Sequence, residues 1–336
     1  MVYVGLDVHK KTIQAAAVDS EGKLLFNKKI PNTHKDVAKL VKELPADTQY
    51  VIESSSVWYG LFCFMRDDLH LNIVLSNPFN TKIIATSLKK TDKVDAYQLA
   101  MMLRGGYIAV CHVPSKQIVD YRMLTRARQK LVQATTRHKN SIHGILLQNG
   151  IKTKHRGFSK MHKRELYKLG EYRIDINLRM IERLDEEVAE LNLMIRAIVV
   201  SSPDILRLTT IPGIGNYTAL VIYAEVGDDI NRFSTPEKLC AYAGIVPSVR
   251  NSSETVHLGR ITKRGSRMLR SAVVEAALSH VIHAPDSELT EFYKRLAKKR
   301  GSSKAKVAAG SKLLRIIHVM MSRKEDYRPG GRNVRA

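Results

Sequence analysis

The chain has 336 residues, and its 55 Lys and Arg residues against 32 Asp and Glu residues give a formal net charge of +23. This length allows two or three domains with cores of their own, and the basic excess predicts a polyanionic partner, foremost a nucleic acid. No run approaches the roughly 18 apolar residues of a membrane span, and the first residues lack the apolar core of a signal peptide, so we expect a soluble, cytoplasmic, nucleoid-associated protein with no membrane partner. Cys63, Cys111 and Cys240 are too widely spaced to indicate a zinc site or a disulfide framework, and we expect buried thiols.

The positive charge is concentrated in two segments. Residues 115–175 carry 15 basic against 4 acidic side chains, and residues 256–336 carry 19 against 6. Residues 1–114 are closer to balance, with 14 against 11, whereas residues 176–255 have an acidic excess of 7 against 11. Because Lys and Arg release counterions when they neutralise phosphates, two separate polyanion-binding surfaces are expected.

Residues 1–114 are predicted to form an α/β domain. Three β-type runs, VYVGLDV, TIQAAAVD and KLLFNKKI, predict an antiparallel meander. A helical pattern in HKDVAKLVKEL, a buried-type strand QYVIE, an aromatic-rich helix around VWYGLFCFMRDDL, a strand NIVLS and a further helix follow. This order is that of a ribonuclease H-like domain with a mixed sheet.

Residues 115–200 are predicted to form a basic linker of long helices. Residues 116–148 and the stretch NLRMIERLDEEVAELNLMIRAIVV both carry apolar residues at helical spacing, separated by a turn-rich basic stretch, QNGIKTKHRGFSK. The spacing fits a helical hairpin within the chain as well as an intermolecular coiled coil, and both alternatives stay open.

Residues 201–323 are predicted to form a helical domain, followed by a flexible tail at residues 324–336. The domain begins with TIPGIG, which is similar to a helix-hairpin-helix turn that directs backbone N–H groups at a phosphate, although a tight interhelical turn would have the same sequence. Further helices flank a stretch, PSVRNSSETVHLGR, that we expect to be a polar loop.

Four carboxylates form the first candidate site. Asp7 ends the first strand, Glu53 ends QYVIE, and Asp92 and Asp95 lie in LKKTDKVDAYQLA, where a spacing of three places them on one helical face about 5–6 Å apart. Taken alone, each of the four residues could be a helix cap or a solvent-exposed charge, and Asp92 in that case would be the N-cap of its helix. Together they occupy the positions where a ribonuclease H-like sheet builds a two-metal phosphoryl-transfer site, so we predict that all four are catalytic ligands of Mg²⁺ or Mn²⁺.

The second candidate site is a serine pair beside basic residues. Ser252 and Ser253 precede a helix start rich in arginine, which is a setting for binding an anion. A serine held against a phosphate there would be a nucleophile, but Asn-Ser-Ser is also a common turn, and the residues alone favour the turn. The full set of residues predicted to contact nucleic acid is Lys89, Lys90, Arg126, Arg128, Lys130, Arg137, Lys139, Gly213, Gly215, Arg260, Lys263, Arg264 and Arg267.

The motifs VGLDVHK, VIE, KKTDKVDA, TIPGIG, AYAGIVP and LGRITKRGSRMLR follow one another in a specific order. Over nearly its whole length the chain thereby resembles the DEDD-type insertion-sequence transposases, a family that includes Piv-like DNA invertases. The resemblance implies a RuvC-like N-terminal domain, a C-terminal transposase domain with a catalytic serine, and recombinase activity that a structured bridge RNA guides in several members.

The resemblance also assigns residues. Asp7, Glu53, Asp92 and Asp95 match the metal-binding carboxylates of the family. The family's serine lies five residues after the proline of GIxP and seven before the glycine of LGRI, which is Ser252 here. The chain departs from the family pattern in two places. After the glutamate, where the family usually has Thr-Gly, this chain continues with Ser54. After the family's serine, Ser253 replaces a common glycine, so Ser253 is an alternative nucleophile.

The expected function is therefore Mg²⁺-dependent cleavage and rejoining of DNA through a 5′-phosphoserine link. The expected partners are donor DNA, target DNA and a structured guide RNA, and the resemblance implies composite sites in a homodimer or tetramer. Two other classes stay open: a metal-dependent junction endonuclease without serine chemistry, and a non-catalytic nucleic-acid-binding scaffold. An endonuclease would leave free ends, whereas a scaffold would bind without metal-dependent cleavage.

Overall fold

The computed structural model describes residues 1–77, 91–155, 157–252 and 255–329, and only the backbone of residues 249–252 and 255–258. Lys89, Lys90 and Ser253 from the predicted sites lie outside these residues. The chain divides into two compact units, Met1–Val113 and Pro114–Ala336. The further division of the second unit at residue 200 stays a prediction.

The first unit is built on a five-stranded mixed sheet. Its strands are β1 (Tyr3–Val8), β2 (Thr12–Val18), β3 (Leu24–Pro31), β4 (Gln49–Glu53) and β5 (Asn72–Ser76), in the order β3-β2-β1-β4-β5. The first three strands pair antiparallel, which confirms the predicted meander, and β4 and β5 run parallel to β1. The carboxyl ends of β1, β4 and β5 therefore meet at one edge of the sheet.

The helices of the first unit cover the two faces of the sheet. They are α1 (His34–Lys42), α2 (Trp58–Cys63), which continues as a π-helical turn over Phe64–Asp68, and α3 (Asp92–Arg104). The core on one face joins strand residues such as Leu6 to residues of α1 and α2, and α3 lies against the other face. The N-cap of α3 is Thr91, whose side chain accepts a hydrogen bond from the Val94 N–H, so the structural alternative in which Asp92 is the N-cap is wrong.

The second unit begins with an antiparallel helical hairpin. Its helices are α4 (Lys116–Gln148), α5 (Lys160–Tyr167) and α6 (Tyr172–Ser201). The C-terminal end of α4 packs with the N-terminal part of α6 through Ile142 and Leu178, and the opposite ends meet through Ile118 and Ile195. The apolar faces of both long helices are therefore paired within one chain.

The remainder of the second unit is largely helical. Its elements are α7 (Pro203–Leu208), α8 (Asn216–Val226), a 3₁₀ turn (Ile230–Arg232), α9 (Pro236–Tyr242), β6 (Pro247–Ser252), β7 (Thr255–Ile261), α10 (Arg267–His283), α11 (Glu288–Arg300) and α12 (Ser302–Arg323). The strands β6 and β7 pair antiparallel, so the expectation of a polar loop is wrong over these residues.

Three other expectations concern the chain's end, its cysteines and membranes. The predicted tail is held against the unit as far as Tyr327, whose N–H donates to Thr210 Oγ1 at 2.9 Å. The cysteines are free, but only Cys240 is buried, whereas Cys63 and Cys111 are half-buried. Among the described residues, no helix combines the length and apolar character needed to cross a membrane.

Candidate metal centre and nucleic-acid surfaces

Asp7 lies near the carboxyl end of β1, on the face that α3 covers. Side chains alternate along a strand, so Gly5 and Asp7 share this face while Leu6 points into the opposite core. A Cβ atom at residue 5 would lie 2.6 Å from the Ala100 nitrogen and still closer to the Ala96 carbonyl oxygen. Only glycine therefore allows α3 to approach β1 this closely, which brings the first turn of the helix to Asp7.

Two polar side chains fix the start of α3 from the neighbouring strands. Gln14, which is opposite Asp7 in the β1–β2 register, is buried and donates from Nε2 to Asn27 Oδ1 at 2.6 Å. Asn27 in turn donates from Nδ2 to the Lys93 carbonyl oxygen at 2.9 Å. The backbone between Asp92 and Asp95 is thus tied to the sheet.

A histidine lies between two of the predicted carboxylates. His9 Nε2 is 3.3 Å from Asp7 Oδ2 and 3.4 Å from Asp92 Oδ2. The Asp7 side chain is 19% exposed, whereas those of His9 and Asp92 are about half exposed, at 48% and 49%. One ligand atom from each of the three residues lies within 4.8 Å of the others, which is close enough for all three to hold one metal ion.

The surroundings of the Asp7 carboxyl disfavour its ionised form. Burial is the largest cause that raises its pKa above the ordinary value, and the negative charges of Asp92 and Asp95 raise it further. His9 opposes both effects and lowers the pKa of Asp7 through its charge and a hydrogen bond. Asp92 and Asp95 are therefore close enough to Asp7 to repel its charge.

Glu53 is placed at the same edge by the sheet register. Leu6 is opposite Ile52 in the parallel pairing of β1 and β4, so Asp7 and Glu53 occupy the next position on strands about 4.8 Å apart. The Glu53 side chain is half-buried, and its backbone is opposite Ser76 in β5. Its position fits the predicted ligand set.

The residues present fit a divalent cation. Carboxylate oxygens are the ligands that Mg²⁺ and Mn²⁺ prefer, and a partly buried carboxyl with two acidic neighbours is stabilised in its charged form by such an ion. Asp7 and Asp92 would hold it, while Asp95 and Glu53 lie near them but outside the group whose ligand atoms are within 4.8 Å of one another. A bound ion would polarise a phosphate and stabilise a leaving oxygen.

Ser252 lies at the far end of the β6–β7 hairpin. It is the last residue of β6 and is opposite Thr255, so the strands run back from it to the pair of Pro247 and Ile261. Five residues of strand separate Ser252 from that base, a distance of about 17 Å. The hairpin therefore carries Ser252 away from the basic residues at and beyond the end of β7, although the sequence places them close together.

Those basic residues lie at the end of β7, on the following loop and at the start of α10, a junction that is packed against the AYAGIVP motif. The Thr262 N–H donates to the Val246 carbonyl oxygen at 2.9 Å, and Arg270 Nη1 donates to the Ala243 carbonyl oxygen at 2.8 Å. Gly244, at φ +66°, has no room for a Cβ atom beside the Arg264 backbone. The exposed side chains that this rigid junction presents are Arg260, Lys263, Arg264 and Arg267.

The basic residues predicted on α4 are not equally free to bind a polyanion. Arg126 Nη2 pairs with Oε1 of the buried Glu225 at 2.8 Å, and the Arg128 guanidinium lies 3.9 Å from the Tyr217 ring centroid. Lys139 lies over a phenylalanine ring, at 5.6 Å from its centroid. Lys130 and Arg137 are exposed, and they remain the simplest candidates for phosphate contacts on this helix.

The TIPGIG turn is packed against α10 on one side. Gly213 has φ +90°, and a Cβ atom there would lie 2.5 Å from the His280 backbone nitrogen. The buried His280 binds the Pro212 carbonyl oxygen through Nδ1 at 2.9 Å, and burial lowers the pKa of its imidazole. Gly215 is exposed and precedes α8, and no heavy atom lies within 4 Å of the position that an added Cβ would take there. Gly213 thus has a packing role, whereas the backbone at Gly215 is accessible.

The sequence reasoning missed His9, Gly5, Gln14 and Asn27. The spacing Asp-x-His places His9 on the same side as Asp7 at strand periodicity, and a glycine inside a strand signals a close approach. No sequence signal indicates that Gln14 and Asn27 would tether α3, because that contact joins residues 66 positions apart.

Comparison with known proteins gives consistent matches along the chain. Residues 4–150 match the DEDD transposase family model of the IS110 type, and residues 206–294 match the model described as "Transposase IS116/IS110/IS902 family". The transposase for insertion sequence element IS1111A of Coxiella burnetii is 27% identical over 97% of this chain and 91% of its own length. A probable family 20 transposase of Pseudomonas aeruginosa is 25% identical over 97% of this chain and 98% of its own length. The transposase for insertion sequence element IS1533 of Leptospira borgpetersenii is 31% identical over 45% of each chain.

Proposed function

We propose that the chain is an insertion-sequence transposase of the IS116/IS110/IS902 family, because family models match residues 4–150 and 206–294, and that it moves its element by metal-dependent cleavage and rejoining of DNA through a serine. The observation that carries the proposal is the convergence of Asp7 and Asp92 at the edge of a sheet in the order β3-β2-β1-β4-β5. This strand order supports a ribonuclease H-like, RuvC-like domain for residues 1–114.

A different structural feature supports each of the four carboxylates as a metal ligand in this proposal. Asp7 is fixed by the end of β1, and Asp92 and Asp95 are fixed by the tethered first turn of α3. Glu53 is supported by the register of β4 against β1, in which it is the neighbour of Asp7. Mg²⁺ or Mn²⁺ bound by these residues would supply charge stabilisation to the phosphoryl group under attack. The chain's own contribution is to hold the carboxylates close enough that a cation between them would relieve their mutual repulsion.

The serine step conserves the phosphodiester bond energy. Ser252 Oγ forms a bond to the scissile phosphorus as the bond to the 3′-oxygen breaks, so the DNA is joined to the protein by its 5′-phosphate. The serine hydroxyl proton is released to solvent, and the leaving 3′-oxygen takes up one proton. Attack of a 3′-hydroxyl from another strand on the phosphoserine reverses the step and frees Ser252. Ser253 is the alternative nucleophile.

The basic surfaces of the second unit are proposed to hold the nucleic acids. Lys130 and Arg137 on α4, and Arg260, Lys263 and Arg267 at the hairpin base, are exposed and suited to contact phosphates. The bridge RNA of the proposal would supply sequence specificity by base pairing to donor and target DNA, while the protein contacts backbones. We also propose that the working form is a homodimer or tetramer.

Trapping of a protein–DNA adduct tests the serine step. The full-length protein would be incubated with Mg²⁺, RNA transcribed from the element's flanks and a plasmid that carries the element ends. We expect wild-type protein to yield an adduct that survives denaturation and carries the 5′ end, and Ser252→Ala to yield none. Ser253→Ala is the matched control and should retain the adduct.

The other outcomes discriminate between the functions. Adducts that persist in Ser252→Ala but vanish in Ser253→Ala would transfer the nucleophile to Ser253. Cleavage with free ends and no adduct would indicate a junction endonuclease. Binding without any metal-dependent cleavage would indicate a scaffold and would overturn the proposal.

A further inference from the structure

His9 has a position that the carboxylate site alone does not explain. Its ring nitrogen lies at nearly equal distances, 3.3 and 3.4 Å, from carboxylate oxygens of two different elements, β1 and α3. A charge-assisted hydrogen bond from an imidazolium to a carboxylate has a length of about 2.7–2.9 Å. Both separations are longer than that, so the hydrogen bond between the ring and Asp7 is weak and Nε2 is not held tightly by either oxygen.

The separations suit a shared coordination sphere. Two ligand atoms that are each about 2.1 Å from an octahedral ion, at right angles, lie about 3.0 Å apart, and opposite ligands lie about 4.2 Å apart. The two observed distances are near the first value, and all three ligand atoms lie within 4.8 Å of one another. A small shift of the three side chains would therefore complete one face of the sphere.

The backbone of His9 is held in place. Its N–H donates to the Thr12 carbonyl oxygen at 2.9 Å, and its own carbonyl oxygen accepts from Asn32 Nδ2 at 2.8 Å. The ring is about half exposed, so it has room to adjust around an ion. The turn between β1 and β2 thus fixes the His9 backbone beside Asp7, while the ring can still adjust around an ion.

We propose that His9 is a nitrogen ligand of the metal ion, in addition to the carboxylates, and that it shifts the site's preference from Mg²⁺ towards Mn²⁺. This inference rests on the metal-dependent site of the proposed function. Imidazole nitrogen binds later first-row divalent ions more strongly than it binds Mg²⁺, which prefers oxygen ligands and retains water. The neutral ring would bind through Nε2 and carry its proton on Nδ1.

Mn²⁺ is the probe for the test because it is paramagnetic. Electron spin-echo envelope modulation of Mn²⁺ bound to the full-length protein would reveal the ¹⁴N nucleus of a coordinated imidazole, without any measurement of activity. We expect the nitrogen modulation in wild-type protein and its loss in His9→Gln. His155→Gln, at an exposed position in the second unit, is the matched control and should retain it.

Affinities measured on the same variants provide the second readout. We expect His9→Gln to weaken Mn²⁺ binding by about tenfold or more, with a smaller effect on Mg²⁺ measured by competition. Bound Mn²⁺ without nitrogen modulation, or modulation that persists in His9→Gln, would overturn the inference and leave the carboxylate site intact. Mn²⁺ binding that Asp7→Asn does not weaken would contradict the proposed function itself.

Discussion

Asp7 is the residue at which the requirements of stability and function conflict. The sheet edge buries its carboxyl and places Asp92 and Asp95 nearby, and both effects raise the pKa of Asp7. A raised pKa in the folded chain means that the ionised form is disfavoured there relative to the unfolded chain. Metal-free protein at neutral pH therefore loses stability at this residue, and bound cation would restore it.

Asp7→Asn should stabilise the metal-free protein. The amide keeps the size of the side chain but removes the charge that is buried and repelled, so we expect the unfolding temperature in a chelator to rise by about 1–4 °C. The same substitution should abolish the rise in unfolding temperature that Mn²⁺ produces in wild-type protein. Thermal unfolding followed by circular dichroism measures both.

Asp47→Asn is the control for that substitution. Asp47 is exposed and lies 3.7 Å from the N-terminal ammonium group, away from the site. It should leave the response to Mn²⁺ unchanged. A lower unfolding temperature for Asp7→Asn in the chelator would show that the carboxylate is stabilised without metal.

The sequence predicted the acidic residues of the site but not the histidine. Asp7 and Asp92 stand out because carboxylates at a strand end and a helix start are recognisable by spacing. His9 does not, because its role depends on the path of α3, which brings Asp92 within 3.4 Å of a turn more than 80 residues earlier in the chain. Such a contact has no local pattern.

At the scale of elements, the placement of α3 depends on Gly5. We expect Gly5→Ala to force the helix from the sheet, because the added methyl group would meet backbone atoms of Ala96 and Ala100 that cannot rotate away. Overpacking of this kind costs about 1–3 kcal/mol, and it should weaken Mn²⁺ binding by separating Asp92 from Asp7. Calorimetric titration with Mn²⁺ and chemical denaturation measure the two effects.

Gly60→Ala is the matched control for Gly5→Ala. Gly60 lies in α2, and no heavy atom lies within 4 Å of the position of an added Cβ. Its substitution should preserve Mn²⁺ binding. Equal Mn²⁺ affinities for Gly5→Ala and wild-type protein would refute the dependence of the site on this close approach.

The TIPGIG turn contains a pair of glycines that should respond differently. Gly213→Ala places a side chain at φ +90° and against the His280 backbone, so we expect a loss of about 2–4 kcal/mol in the free energy of unfolding. Gly215→Ala has space and an ordinary φ of −86°, and it should cost less than about 1 kcal/mol. Urea denaturation of both variants gives the comparison, and equal losses would contradict it.

The β6–β7 hairpin is a pair of strands that the amino-acid composition of this stretch does not predict. The stretch from Pro247 to Ile261 contains a proline, an asparagine and three serines, residue types that favour turns and loops. Its strands instead arise from main-chain hydrogen bonds across the pair, and strand formation depends on such cross-strand context. The consequence for the site is large, because Ser252 is carried to the end of the hairpin.

At the scale of the whole molecule, the spacing of apolar residues identified the long helices but not their partners. The same pattern serves a helical hairpin and an intermolecular coiled coil, since both bury a stripe of residues three and four apart. The structure pairs α4 with α6 because the chain reverses between Gln148 and Tyr172. Chain reversal over a turn-rich basic stretch is difficult to distinguish from a linker by composition.

The net charge of +23 overstates the charge that is available to a nucleic acid. Arg126 is 52% exposed but pairs with Glu225, and Arg128 packs on the Tyr217 ring, so part of the charge on this helix already makes contacts within the second unit. Charge along the sequence therefore located the basic segments, but the structure is needed to separate side chains that face solvent from those that stabilise the fold.

Strand cleavage by the Asp95→Asn variant tests the central claim, that the carboxylates of β1, β4 and α3 together form the metal-dependent cleavage centre. The measurement is strand cleavage of a plasmid that carries the element ends, over a Mg²⁺ titration, with RNA and DNA binding followed in parallel. We predict that Asp95→Asn lowers the cleavage rate by at least about 100-fold while nucleic-acid affinity is retained, and that Asp47→Asn cleaves like wild-type protein. Wild-type cleavage by Asp95→Asn across the titration would contradict the account.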